Sequence, residues 1–427
     1  MKCLKFFFRR IAYSIVISYS IVIVIAVFIL HQSINILFTD KLGLVSRIDM
    51  GVENKSQFIT MWVMTSKHIS SVTDKVGNVE RKILYWTKLF GKTPEEYMKI
   101  EANCNCRYQC QHSTNRSDLK SSDAIIFHLY DIWAEYWILN TTKIVPIPNY
   151  RHTSQVWVIV NMEPLGHLWG NLDILNGLFN WTMTYRGDST HLMAYGKINR
   201  LNAKESNEYH SEKKVNYFRQ KHKSAVAMVS NCKDYARRYK LIKQVQKYLF
   251  LDLFGKCYGN LCGSNSKDPI DDKCDDILKQ YRFYLAFENS FCKDYVTEKY
   301  WLSLKREQIP IVNWKHVNLS LVIPNSYINV YDFPDIHSFG KYITLVNSNE
   351  TLYNSYFEWK HTYTHTKECL SCITCQGLHE KTDVAQSYTN FAGWIKNDFC
   401  EEASENNVWL KNYDRDIFDQ VENVSLF

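Results

Sequence analysis

From Ile11 to Leu30 the chain carries no charged side chain and is almost wholly apolar. A helix of that length crosses the ~30 Å of hydrocarbon in a bilayer, so this segment constrains everything that follows it. Lys2, Lys5, Arg9 and Arg10 precede it, whereas Asp40 and Lys41 cancel beyond it. The positive flank stays cytoplasmic, which sends the rest of the chain to the luminal side. A cleaved signal peptide has a shorter apolar core followed by a small-x-small site, and His31-Gln32-Ser33 is a poor one. The expectation is a cytoplasmic tail at 1–10, a retained transmembrane signal anchor at 11–30 and a luminal stem at 31–78.

Cysteine usage fits an oxidising lumen. Of 13 cysteines, Cys3 belongs to the tail, leaving an even number for disulfides. Cys104, Cys106 and Cys110, and then Cys369, Cys372 and Cys375, have spacings that imitate zinc or iron–sulfur motifs. Behind a membrane anchor they are read as disulfide candidates, with partners left open. Sequons begin at Asn54, Asn115, Asn140, Asn180, Asn318, Asn349 and Asn423, all beyond the apolar segment, and make these asparagines glycosylation candidates. The net charge of +7 over 427 residues is mild and scattered. It favours anionic ligands in general and leaves no nucleic-acid footprint.

Past the stem, short continuous apolar runs alternate with longer polar or helical stretches. Ile83–Trp86, Ala124–Phe127 and Val156–Val160 form a first set. A polar stretch at 201–222 reads as a linker, and Ala225–Val229, Leu249–Leu253, Phe283–Phe287 and Ile309–Val312 form a second set. Unbroken apolar runs of this length indicate strands buried on both faces, and their alternation with helices indicates parallel α/β units. The expected fold is therefore α/β, with Rossmann-like domains at 79–200 and 223–360 and a cysteine-containing C-terminal segment at 361–427.

The segment Tyr281–Val312, YRFYLAFENSFCKDYVTEKYWLSLKREQIPIV, reads strand, polar loop, helix, strand. Asn289 and Ser290 fall past the carboxyl end of the first strand, where ligands bind open α/β sheets. Asp294 is a suitable N-cap, which would place Tyr295, Glu298 and Lys299 on one face of the first helical turns. An aromatic ring, a carboxylate and an ammonium beside a helix N-terminus suit a nucleotide sugar. The carboxylate accepts hydroxyl hydrogens and the ammonium neutralises a leaving diphosphate.

FENS…DYVTEK with IPIV downstream closely resembles the donor motif of the α1,3/4-fucosyltransferases. ILYWTKLFG (83–91), SSDAIIFH (121–128), FNWTMTYRGDS (179–189), SNC (230–232), SYINVYDF (326–333) and LYNSYFEWK (352–360) extend the resemblance over most of the expected luminal region. It implies a type II Golgi membrane enzyme of the GT-B type, with two facing Rossmann-like domains, which moves fucose from GDP-fucose to a glycan with inversion. It further implies that Ser230, Asn231, Arg238, Asn289, Tyr295, Glu298 and Lys299 bind the donor. Glu163, in NMEPLGH, matches the family's catalytic base with a one-residue offset before the proline, and His128 and His167 are local alternatives. The resemblance leans towards invertebrate and plant core-type members, implying α1,3 transfer to GlcNAc in an N-glycan or other glycan.

No cofactor or metal is expected. The one Asp-x-Asp, Asp414-Arg415-Asp416, lies away from any strand end, so diphosphate charge falls to Arg238, Lys299 and helix N-termini. Leu302-Ser303, Trp314 and Gly187 depart from the family pattern, which often has a glycine where Trp314 stands and a basic residue where Gly187 stands. Those departures motivate a second reading, a membrane-tethered GDP-sugar or glycan-binding protein without catalysis.

Overall fold

The computed structural model describes residues 80–101, 104–137, 147–165, 168, 171–206, 215–260, 262, 272–380, 387–397 and 400–401. The expected tail, anchor and stem lie outside these residues, as do His167 and Asp414–Asp416. Among the described residues no helix is long and apolar enough to cross a membrane.

Two parallel sheets form the body. The first contains β1 (Arg81–Tyr85), β2 (Cys110–Ser113), β3 (Ala124–His128), β4 (Val156–Asn161), β5 (Trp181–Thr184) and β6 (His191–Leu192), in the order β2-β1-β3-β4-β5-β6. The apolar runs are continuous because both faces of this sheet are covered. Ile83, Ala124, Ile126, Val156, Val158 and Val160 pack on one side, and Leu84, Ile125, Phe127, Trp157 and Ile159 on the other.

After β7 (Lys197–Arg200) the second sheet begins. It contains β8 (Lys223–Met228), β9 (Leu251–Phe254), β10 (Tyr281–Leu285), β12 (Ile309–Val312) and β13 (Ile328–Asn329), with the short β11 (Phe291–Cys292) set apart. Its order is β13-β12-β10-β8-β9. Each sheet thus has its first strand flanked by its second and third. The α/β fold of two Rossmann-like domains expected from the sequence is the fold observed.

The C-terminal segment does not stand alone. β14 (Tyr363–Thr366) pairs antiparallel with β7. The helix Leu370–His379 then packs Leu370, Cys375 and Leu378 into one core of the first domain, and Phe391, Ala392 and Ile395 enter its other core. Cys369, Cys372 and Cys375 recur every three residues, so they share one helical face. They bridge to Cys104, Cys106 and Cys110 respectively. Cys232–Cys257, Cys262–Cys274 and Cys292–Cys400 complete six bridges. β15 (Cys400–Glu401) pairs with β11 beside the last of them. With these sulfurs consumed in disulfides, neither cysteine cluster offers the thiolates a zinc site needs.

Candidate active site

A cleft of about 310 Å³ opens at the carboxyl ends of the strands, and both domains line it. Glu163, Ser230, Asn231, Arg238, Asn289, Tyr295, Glu298 and Lys299 all face it. Glu163 and every candidate donor residue taken from the sequence therefore line one cleft, joined by Tyr195, Tyr284, Leu302 and Arg306, whereas His128, the alternative base among the described residues, does not line it.

In the second domain the cleft begins where β8 ends, at Val229, Ser230 and Asn231. Close backbone approach fixes this loop. Gly255 has φ 104°, and a Cβ there would meet the Val229 carbonyl oxygen at 2.3 Å, so only glycine fits. The next helix, Arg238–Val245, is capped by Asp234, whose carboxylate accepts from the Arg238 and Tyr239 amides at 2.8 and 3.0 Å. The Arg238 side chain is 2% exposed. One nitrogen donates to the Asn231 carbonyl, while Nε has no hydrogen-bond partner among the described residues. A buried guanidinium with unused donors suits a phosphate oxygen.

The opposite wall is the loop after β10 and the helix Glu298–Lys305. The helix begins later than the sequence indicates. Asp294 is not its N-cap: it sits at φ 61°, outside the helix, and Tyr295 also precedes the first turn. Thr297 holds the cap position, and its hydroxyl turns inward to the Glu288 carboxylate at 2.8 Å. Glu288, which the sequence reading did not single out, organises this wall. It is 2% exposed and accepts from the Thr297 amide at 2.8 Å and from Lys299 Nζ at 3.2 Å. Its sequence signal is an acid that closes the apolar run FYLAF. Tyr195 had no motif at all and reaches the cleft only through the fold.

The charges are closely coupled. Lys299 Nζ also lies 3.2 Å from Glu298 and 2.7 Å from the Thr297 hydroxyl. Burial works against its charge, but the Glu288 and Glu298 carboxylates outweigh it and hold the ammonium pKa above the ordinary lysine value. Burial likewise opposes ionisation of Glu298, and Lys299 overcomes it, lowering that carboxyl's pKa.

Glu163 enters from the first domain, three residues beyond the point where β4 pairs His128 with Val160. Its side chain is accessible from the open cleft yet crowded by the surrounding walls. Burial, followed by the nearby Glu298 charge, raises its pKa, with smaller opposing effects from Lys299 and His128. Its loop is held from three sides: Asn161 Nδ2 donates to the Glu163 carbonyl, the Leu165 amide to Tyr185 Oη at 3.2 Å, and Tyr195 Oη to the Met162 carbonyl at 2.9 Å. The Tyr185 ring packs on Tyr295 at 4.9 Å, so the base loop and the donor wall touch.

Trp314 does not obstruct the cleft. It is 5% exposed and packs on Tyr300 and Tyr327, on the far side of the helix from the site. Among the sequons, Asn115, Asn318 and Asn349 are exposed on the surface, whereas Asn54, Asn140 and Asn423 lie outside the described residues. Asn180 differs from these in being 9% exposed, with its Oδ1 accepting from the Trp157 amide at 2.8 Å and from Arg151.

Two facing Rossmann-like lobes sharing one cleft, a carboxylate on one wall and a buried arginine with a partly buried lysine on the other, define a GT-B type glycosyltransferase. Residues 218–394 match the C-terminal domain of glycosyltransferase family 10 (fucosyltransferase), and residues 78–196 match the fucosyltransferase N-terminal domain. The chain is 31% identical to α-(1,3)-fucosyltransferase C of Drosophila melanogaster over 77% of its own length and 80% of that relative. It is 30% identical to α-(1,3)-fucosyltransferase fut-5 of Caenorhabditis elegans over 76% and 85%. A crystal structure of an α1,3-fucosyltransferase aligns at 17% identity and a TM-score of 0.44, covering 75% of this chain and 95% of that one. This chain belongs to glycosyltransferase family 10, the fucosyltransferases.

Proposed function

We propose that this fucosyltransferase moves L-fucose from GDP-fucose to a hydroxyl of a GlcNAc residue in an N-glycan or other glycan, with inversion, forming an α1,3 linkage. The observation that carries the reading is that Glu163 faces Arg238, Glu298 and Lys299 across one cleft. Glu163 takes the acceptor hydroxyl's proton as that oxygen attacks the anomeric carbon from the face opposite GDP. The bond from that carbon to the phosphate oxygen breaks, and Lys299 and Arg238 stabilise the departing diphosphate. Tyr295 and Asn289 line the donor side, and burial keeps the Tyr295 phenol protonated. Charge compensation by side chains supports a reaction that needs no metal.

The six disulfides and the exposed sequons support an oxidising, glycosylating compartment, which we propose is the Golgi lumen, with the chain anchored through residues 11–30. The reading of an inactive binding protein rested on Trp314 and Gly187. The first lies outside the cleft, and the second makes a fitted contact described below.

The test is transfer by the full-length enzyme from GDP-fucose to a glycan array, with mass-spectrometric identification of the products. We expect α1,3-fucosylated GlcNAc products, unchanged yield in EDTA, and loss of turnover in Glu163→Gln with GDP binding retained. Full activity in Glu163→Gln would place the base elsewhere, and loss of activity in EDTA would end the metal-free mechanism.

A further inference from the structure

The helix Glu298–Lys305 turns one face to the cleft along its whole length. Glu298, Leu302 and Arg306 recur at four-residue spacing on that face, and all three line the cavity. Glu298 begins the helix and Arg306 caps its C-terminus, about 12 Å further along at ~1.5 Å per residue.

The two ends have different neighbours. The first turn is within electrostatic reach of Glu163: beyond the effect of burial, Glu298 raises that carboxyl's pKa and Lys299 lowers it. At the far end the Arg306 guanidinium lies 5.8 Å from the Tyr284 ring centroid, and Met228, Tyr284 and Leu302 make the adjoining wall largely apolar. A sugar nucleotide has a fixed order of parts. With fucose towards Glu163 and the diphosphate at Lys299 and Arg238, its nucleoside points to the Arg306 end.

Arg306 is held so as to present donors there. Its side chain is 3% exposed, Nε donates to Asp275 Oδ1 at 2.7 Å, and its carbonyl accepts from Lys221 Nζ at 2.7 Å. Lys221 also donates to the Lys279 carbonyl at 2.7 Å, tying this cap to the end of the helix Asp272–Leu278, which carries Asp275. The guanidinium is thus fixed by one nitrogen, and its two terminal nitrogens meet no acceptor among the described residues. Nearly buried donors rarely go unpaired, and this fork faces a cavity. It fits two acceptors in one plane. Guanine offers that pair in O6 and N7, whereas adenine puts an amino donor in place of O6. The flat faces of a purine suit the apolar wall beside the fork.

We propose that Arg306 is a specificity-determining residue of the donor site, its terminal nitrogens donating to O6 and N7 of the guanine base, with Asp275 as the positioning residue that sets the fork. This assignment rests on the reading of the cleft as the GDP-fucose site and adds the side chain that selects the nucleobase.

The test is calorimetric binding of GDP, inosine diphosphate, 7-deaza-GDP and ADP to the full-length enzyme and its variants. Inosine diphosphate keeps both acceptors, 7-deaza-GDP lacks N7, and ADP lacks O6. Arg306→Met should weaken GDP and inosine diphosphate by one common factor, about tenfold to a hundredfold, and leave ADP within twofold. Arg306→Lys keeps the charge but loses the fork, so it should stay closer to Arg306→Met than to wild type. Asp275→Ala should lower the preference for GDP over ADP by a smaller factor. Parallel losses for GDP and ADP would make the Arg306–Asp275 pair a support for the helix end and overturn the proposal, as would unchanged GDP affinity in Arg306→Met. If that variant does not fold, the wild-type enzyme still decides: 7-deaza-GDP should bind severalfold more weakly than GDP, and equal binding overturns the contact. Failure of the wild-type enzyme to transfer from GDP-fucose to any glycan would remove the transfer reading itself. An enzyme that transfers but binds GDP and 7-deaza-GDP alike keeps that reading and loses only the role of Arg306.

Discussion

The Gly187 amide donates to Asp294 Oδ2 at 3.0 Å, joining a loop of the first domain to the donor loop of the second. The other oxygen of the same carboxylate accepts from the Asn318 amide at 2.9 Å, and the residue is 4% exposed. A Cβ at position 187 would sit 3.1 Å from Oδ2, so the glycine is fitted to the carboxylate. Arg186 and Asp188, paired at 2.6 Å on either side of the glycine, and Lys293 near Asp188 strengthen the junction. Asp294→Ala removes the acceptor shared by the Gly187 and Asn318 amides and should cost about 1 kcal/mol. Calorimetric unfolding should show a lower Tm and transfer assays a lower kcat. A variant matching wild type in both would show that the junction holds nothing in place.

The acid limb of the pH–rate profile should report Glu163. Its carboxyl pKa is raised, by burial first and the Glu298 charge second. A general base works only when ionised, so kcat/KM should rise with pH through a pKa above the ordinary 4.5 of a glutamate and fall below it. Glu298→Gln removes the like charge and should move that limb to lower pH, even as overall activity drops. A limb that stays in place when Glu298 is neutralised would show that another group is titrating.

Glu288 and Lys299 should fail together. The lysine is held by Glu288, Glu298 and Thr297, and the Thr297 cap is itself held by Glu288. Lys299→Ala should lower kcat by about 10²–10³, in the range of losing one group that stabilises developing charge. Glu288→Gln should raise the donor KM severalfold by releasing both partners, and the double variant should be little worse than Lys299→Ala alone, because the two act as one unit. Strictly additive losses would separate them.

The strands were legible because each lies in a sheet covered on both faces, so the pattern Ala124–Phe127 or Val156–Val160 records burial directly. The donor residues were legible because they crowd into the loops and helices that follow two strands, β8 and β10. Asp294 was misread because a good N-cap residue and a carboxylate joining two domains look alike in a sequence; only Gly187 and Asn318, brought in by the fold, tell them apart. The return of the C-terminal helix to the first domain left no local trace either: its partners are more than 260 residues away.

That return makes the last prediction. Cys106–Cys372 spans 266 residues, but Cys104–Cys369 and Cys110–Cys375 close the same long loop, so its removal frees little unfolded-state entropy and acts mainly by loosening the local seat of the helix. The helix it secures contributes Leu370, Cys375 and Leu378 to the core behind β1, β3 and β4, the strands whose ends carry His128 and the Glu163 loop. The donor lobe draws its core from other residues. The paired Cys106→Ser, Cys372→Ser variant should therefore unfold at a lower temperature and lose acceptor use first, with GDP affinity nearly intact under conditions where the chain remains folded. If GDP affinity and acceptor KM decline in step, the helix supports the two lobes equally, and the division of labour between them is wrong.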